Sequence, residues 1–105
     1  MSASVPITSA QRKFLKKLAH PLQPVVQVGG EGISEGVVRA VDLALTDHEL
    51  IKVRLGQAYE GPRKEAGAAL AETTSSQLCQ VIGRIVVLYR ARDPKDDRKP
   101  RIELP

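Results

Sequence analysis

The sequence predicts a single small α/β domain, a four-stranded mixed sheet covered by helices, with elements in the order α-β-α-β-α-β-β. Three observations carry that expectation. Segments whose apolar residues recur at helical spacing alternate with short β-branched runs, so that right-handed crossovers should join the first three strands. The last two runs are separated only by Gly83 and Arg84, the glycine-first spacing of a type II′ hairpin. A chain of 105 residues can bury one core and has no room for a second domain.

The first helix is announced by Thr8 and Gln11, which have capping-box spacing, and it runs to about Ala19. At 100° per residue Gln11, Phe14, Leu15, Leu18 and Ala19 share a packing arc, while Arg12, Lys13, Lys16, Lys17 and His20 share the opposite one. Pro21 and Pro24 end this helix and lead into the first strand, Val25 to Val28. Three glycines within four residues follow, Gly29, Gly30 and Gly32. Ser34 is then the expected N-cap of a second helix, with Val37, Val38, Val41, Ala44 and Leu45 on its apolar face and its end near Thr46.

Asp47, His48 and Glu49 should form a polar link whose side chains point apart into solvent. Leu50 to Leu55 alternates as a half-buried strand does, Ile51, Val53 and Leu55 inward and Lys52 and Arg54 outward. After a loop from Gly56, Pro62 suits the first turn of a third, alanine-rich helix that packs through Ala66, Ala69 and Leu70. Leu78 to Ile82 and Ile85 to Tyr89 complete the sheet as an antiparallel pair, in which Cys79 should be a small buried hydrophobe. The expected domain is 8–90. Residues 1–7 should be a flexible N-terminus, and 91–105 a charged tail that is mobile at least to Lys99, with Ile102 and Leu104 able to dock its end on the body.

Sixteen Lys and Arg stand against twelve Asp and Glu, and their distribution says more than the difference. Up to Arg90 there are eleven bases and eight acids, and four of the eleven, Arg12, Lys13, Lys16 and Lys17, lie in the first helix. Without them the body is balanced. A face that concentrates cations and contains no acid points to a polyanionic partner, although lysines on a surface helix often only solvate it. No secretory leader pattern and no apolar run of membrane-spanning length are present, so the expected location is the cytoplasm. A lone Cys79 allows no internal disulfide, and His20 and His48 lack zinc-ligand spacing, so no metal and no cofactor is expected.

A glycine loop between a strand and a helix start is a candidate anion site, because the main chain can be approached closely and the helix N-terminus aims free N–H groups outward. It is also the form of an ordinary turn. Dinucleotide binding is disfavoured, since after Gly30 and Gly32 the third glycine, Gly36, comes one residue late and the second strand ends without an acid. A P-loop lysine is missing as well. The trio Asp47, His48 and Glu49 adjoins no nucleophile, so catalysis is not expected. Phe14, Tyr59 and Tyr89 are the only aromatic residues, too few for a base-stacking surface. Contact with nucleic acid should therefore be to the backbone, by a G-x-x-G loop supported by a basic face.

With these features assembled, the chain resembles the CRM domain, specifically the stand-alone bacterial YhbY-like RNA-binding proteins, over roughly Thr8 to Tyr89 and the terminal RIELP. The resemblance rests on four blocks in order: ITSAQRKFLKKLAH from Ile7, VQVGGEGISEGV from Val26, HELIKVRL from His48 and QVIGRIVVLYR from Gln80. It implies a fold like the C-terminal domain of translation initiation factor three. It also implies a non-enzymatic protein, expected to be a monomer, bound to RNA of large ribosomal subunit precursors as a maturation factor. On matching positions the RNA-binding residues would be Gly29, Gly30, Glu31 and Gly32 of the loop, the first-helix cations Arg12, Lys13, Lys16 and Lys17, and Lys52, Arg54, Arg84 and Arg90. The family loop commonly carries a lysine after its first glycine, where this chain has Gly30 followed by Glu31. The competing reading is a protein-interaction domain whose loop is only a turn.

Overall fold

The computed structural model describes residues 6–92 and 102–105. The elements are α1 (Ser9–Ala19), β1 (Pro24–Val28), α2 (Glu35–His48), β2 (Leu50–Leu55), α3 (Arg63–Thr74), β3 (Gln77–Ile82) and β4 (Ile85–Tyr89), in the order the sequence predicts. They build one four-stranded sheet in the spatial order β1-β2-β4-β3. β1 and β2 are parallel, whereas β4 runs antiparallel to both β2 and β3 and so lies between them. The α3 connection therefore carries the chain past one strand position. Gly83 has φ +57°, and this left-handed residue opens the two-residue β3–β4 hairpin at a position where a side chain would be strained.

Helices cover both faces of the sheet. α2 and α3 pack on one, where Val41, Leu45, Ala66 and Leu70 meet Val28, Ile51, Val53, Leu55, Val86 and Leu88 in the larger core. α1 lies on the other, where Leu15 and Ala19 meet Leu50, Cys79, Val87 and Tyr89. Successive strand residues point to opposite faces, so β2 supplies both layers: Ile51, Val53 and Leu55 to the first, Leu50 to the second. Cys79 is buried there, and burial pushes its thiol up to about 11, against a smaller opposing influence of Arg12. It is protonated and unreactive at neutral pH.

Two expectations are corrected. The packing arc of α1 is narrower than its periodicity suggests, because Leu18 remains 39% exposed while Leu15 and Ala19 are buried. The supposed solvated link after the second helix is instead almost entirely helix. α2 continues to His48, and the Glu49 N–H closes its last turn on the Leu45 carbonyl at 2.9 Å. Glu49 takes φ +65° and is only 1% exposed. Its carboxylate accepts from the main-chain N–H of Arg92 at 2.6 Å and of Ile102 at 2.7 Å. Two N–H groups far along the chain thus require an acceptor at this point, a demand that local sequence does not reveal.

Pro62 sits one position earlier than expected, as the N-cap of α3. At the C-terminus Ile102 and Leu104 pack on the second core together with Ile7, and Gln11 donates to the Pro105 carbonyl at 3.1 Å. Of the segments expected to be flexible, 1–7 and the tail from Ala91, residues 1–5 and 93–101 lie outside the described residues, whereas Ile7 packs on the second core and Arg92 is buried.

Candidate nucleic-acid interface

At the C-terminal ends of β1 and β2 the chain makes two adjacent loops. Residues 29–34 turn tightly, with the Gly32 N–H donating to the Gly29 carbonyl and the Ser34 N–H to the Gly32 carbonyl, each at 3.0 Å. Gly32 has φ +78°, so this turn requires a residue that tolerates the left-handed region. Ser34 then caps α2 by accepting from the Val37 N–H at 3.2 Å. The second loop supports the first. The Gly56 N–H donates to the Val28 carbonyl at 2.9 Å, and Gly30 lies so close to Ala58 that an added Cβ would sit 3.4 Å from its carbonyl oxygen.

The cations of α1 lie on its exposed side. Leu15 and Ala19 point inward, while Gln11 and Leu18 occupy the flank that meets Pro105 and forms a groove with Ile102. Ile102 is tied to Glu49, just before β2 begins and thus at the end of the sheet remote from the glycine loop. Helical geometry therefore puts Arg12 and Lys16 on the flank opposite that groove, with Lys13 and Lys17 on the outer crest. All four are exposed. Among the described residues, none of them has a carboxylate within ion-pair distance.

Between α1 and the loop part of the sheet is uncovered, and Lys52 and Arg54 stand on it. Arg54 is exposed and pairs in register with Gln27, two residues before Gly29. Lys52 is half-buried, and its Nζ donates to the His20 carbonyl at 3.0 Å, fastening the C-terminus of α1 to β2. Lys52 and Arg54 thus stand on the sheet between α1, whose cations are exposed, and the strand that leads into the loop Gly29, Gly30, Glu31 and Gly32. Glu31 is exposed in that loop, a charge discordant with phosphate binding.

The other two arginines inferred from the resemblance are engaged within the protein. Arg84 Nη1 donates to the carbonyls of Gly56 at 2.9 Å, Leu55 at 3.3 Å and Tyr59 at 3.4 Å. Arg90 lies at the far end of β4, where Nη1 pairs with Asp42 at 2.7 Å and bonds the Thr74 carbonyl at 2.8 Å. Its Nη2 reaches the Asp42 carbonyl at 3.0 Å and Thr46 Oγ1 at 2.9 Å. Arg90 therefore joins α2 to α3 and is not brought to the loop.

Arg63 and Lys64 are cations that the sequence reading does not single out. They are exposed in the opening turn of α3, next to Pro62, whose carbonyl accepts from the Tyr59 hydroxyl at 3.2 Å. The Tyr59 ring approaches Gly32, so this turn adjoins the glycine loop. Two bases at a helix start oppose the macrodipole, and that unfavourable placement was the available signal.

No stacking platform accompanies these cations. Tyr89 is buried, the Tyr59 hydroxyl is held as described, and Phe14 is half-buried on α1. Among the described residues no group of His, Cys, Asp and Glu could hold a metal ion.

The CRS1 / YhbY (CRM) domain family model matches residues 7–90. An RNA-binding protein of Haemophilus influenzae is 41% identical over 90% of this chain and 96% of its own length. Probable RNA-binding protein YqeI of Bacillus subtilis is 37% identical over 94% of this chain and 99% of its own. The solution structure of hypothetical protein SAV1595 from Staphylococcus aureus superposes with a TM-score of 0.77 at 38% identity, covering 94% of this chain and 99% of that one.

Proposed function

The chain belongs to the CRS1 / YhbY (CRM) domain family, and on that premise we propose that it is a non-enzymatic RNA-binding protein that grips the ribose-phosphate backbone. The reading is supported by the exposed Arg12 and Lys16 of α1 and by Lys52 and Arg54 of β2, the latter in register with Gln27 of the strand that leads into the glycine loop. Main-chain N–H groups of the loop contact phosphate oxygens, and the cations neutralise neighbouring phosphates. With no aromatic platform, bases add little. Names carried by the relatives, RNA-binding protein among them, support the same reading. The RNA is that of large ribosomal subunit precursors, as the family resemblance implies, and the protein acts in the cytoplasm.

Affinity should then fall steeply with salt, because each neutralised phosphate releases a counterion. Titrating a labelled RNA hairpin at several salt concentrations should give a slope of log affinity on log salt of roughly −3 to −5, given four or more cations at the surface. A complex insensitive to salt would overturn the backbone reading. For the ribosomal assignment, a lysate fractionated on a sucrose gradient should carry the protein with large-subunit precursors. Its recovery only with small subunits, or only at the top of the gradient, would refute that assignment.

The loop offers a gain-of-function test. Gly30 lacks a positive φ, and a Cβ there would meet Ala58 at ordinary contact distance, so lysine fits. Gly30→Lys should tighten hairpin binding by about 1 kcal/mol at low salt and steepen the salt slope by about one unit. An unchanged slope in the folded variant would place the loop away from phosphate.

The protein-interaction reading has one observation in its favour. An open apolar groove of about 490 Å³ lies beside β1, lined by Leu18, Leu22, Val25, Leu50 and Ile102 among others. It occupies the flank of α1 that faces away from the basic surface.

A further inference from the structure

The glycine loop has little of its own to fix its direction, being held internally by two main-chain hydrogen bonds across a left-handed glycine. Its external support is the 56–59 loop. The Gly56 N–H holds the end of β1, Ala58 lies under Gly30, and the Tyr59 ring lies near Gly32. That support is a short turn closed by the Tyr59 N–H on the Gly56 carbonyl at 3.0 Å. One side chain anchors it further. Arg84 projects from the β3–β4 hairpin and sets a single Nη1 among the carbonyls of Leu55, Gly56 and Tyr59. The Arg84 carbonyl in turn accepts from the Leu55 N–H at 2.7 Å, so hairpin and loop are joined in both directions.

We infer that Arg84 acts on RNA binding as a positioning residue, bracing the 56–59 loop on which the glycine loop rests, rather than as a phosphate contact. The inference rests on the backbone-binding reading of the same surface. A cation spread over three carbonyls has its charge partly satisfied inside the protein, and each of those carbonyls belongs to the chain that supports Gly30 and Gly32. Removing it releases the support and lets the loop N–H groups lose their common direction. Those N–H groups are neutral, so their misalignment weakens binding without changing the number of counterions released.

The variants are Arg84→Gln and Arg84→Lys in the full chain, each alone and combined with Gly30→Lys, with a labelled RNA hairpin as probe. Lysine keeps the charge, but its shorter side chain does not carry a nitrogen to the place of Arg84 Nη1. Both variants should therefore bind about fivefold to tenfold more weakly than wild type, the scale of one ordinary net hydrogen bond. The salt slope should be unchanged, and the gain from Gly30→Lys should vanish in either background. A direct phosphate contact predicts the opposite: near wild-type affinity for Arg84→Lys, a slope smaller by about one unit for Arg84→Gln, and a Gly30→Lys gain that persists in full. Either of the last two results overturns the inference.

A measurement without RNA keeps the test independent of the functional reading. In NMR spectra of the free protein, the amide resonances of Gly30 and Gly32 should move and exchange faster in both variants, while those of Val41 and Leu45 in the core hold still. Unmoved loop amides would refute the brace even if RNA bound normally. Failure of the wild-type protein to bind any hairpin, with the loop amides shifting as expected, would instead refute the RNA reading and leave the brace standing.

Discussion

Replacing Lys13, Lys16 and Lys17 together with glutamate should reduce binding of an RNA hairpin by about two orders of magnitude or more at low salt while leaving the fold intact. The three positions are exposed on α1, and the helix packs through Leu15 and Ala19 instead. Reversal at Lys13, Lys16 and Lys17 replaces three positive charges that attract phosphate with three negative ones that repel it. The salt slope should flatten by about one unit for each phosphate that is no longer neutralised. Stability should fall slightly, because Lys16 and Lys17 occupy the last turn of α1, where cations suit the helix dipole and acids cost about 0.5 kcal/mol each. A folded triple variant with unchanged affinity would move the interface off this helix. It would also leave the apolar groove on the opposite flank as the stronger candidate for a partner, which makes the experiment a direct comparison of the two functional readings.

What the sequence disclosed about this surface depended on how local the determining forces are. The Thr8–Gln11 capping box is visible as two residue types at a fixed spacing, and both of its hydrogen bonds form at 3.0 Å. The Ser34 cap, the Gly83 turn and the alternation of β2 are equally local, so the elements and their order follow from residue pattern alone. Strand order does not. Placing β4 between β2 and β3 depends on which faces are apolar and on the short hairpin, and several arrangements satisfy the same periodicities.

The site shows a similar division. Glycines and a basic helix are legible because composition marks them. Whether a given arginine faces solvent or the protein is decided by carbonyls elsewhere in the chain. Arg84 and Arg90 are the clearest instance: each belongs to a segment shared with the family, yet one spans Leu55 to Tyr59 and the other joins Asp42 to Thr74. Arg63 and Lys64 were hidden for the complementary reason, since their nearness to the glycine loop arises only when the 56–62 segment folds back beside β1.

Glu49 is the residue whose role is least legible locally and whose removal should be felt most. Its carboxylate is buried, and its two oxygens accept from the N–H groups of Arg92 and Ile102, so one side chain fixes the chain on both sides of residues 93–101. Ile102 and Leu104 then cover the second core, and Pro105 meets Gln11 of α1. Glu49→Ala should therefore destabilise the protein by about 3 kcal/mol, because two charge-assisted hydrogen bonds disappear and two donors are left without an acceptor. For a domain of this size that is a fall in melting temperature of roughly 12–20 °C. Chemical denaturation gives the free energy, and hydrogen exchange at the Ile102 amide should show the local release.

A second substitution separates side chain from backbone. Glu49 has φ +65°, which alanine must also adopt and glycine adopts without strain. Glu49→Gly should thus be more stable than Glu49→Ala by about 1 kcal/mol, yet still well below wild type. In both variants α1 loses part of its C-terminal support, so hairpin affinity should drop severalfold even at temperatures where the protein stays folded. If Glu49→Ala costs less than about 1 kcal/mol and leaves the Ile102 amide protected, the carboxylate is not what holds the C-terminal residues against α1.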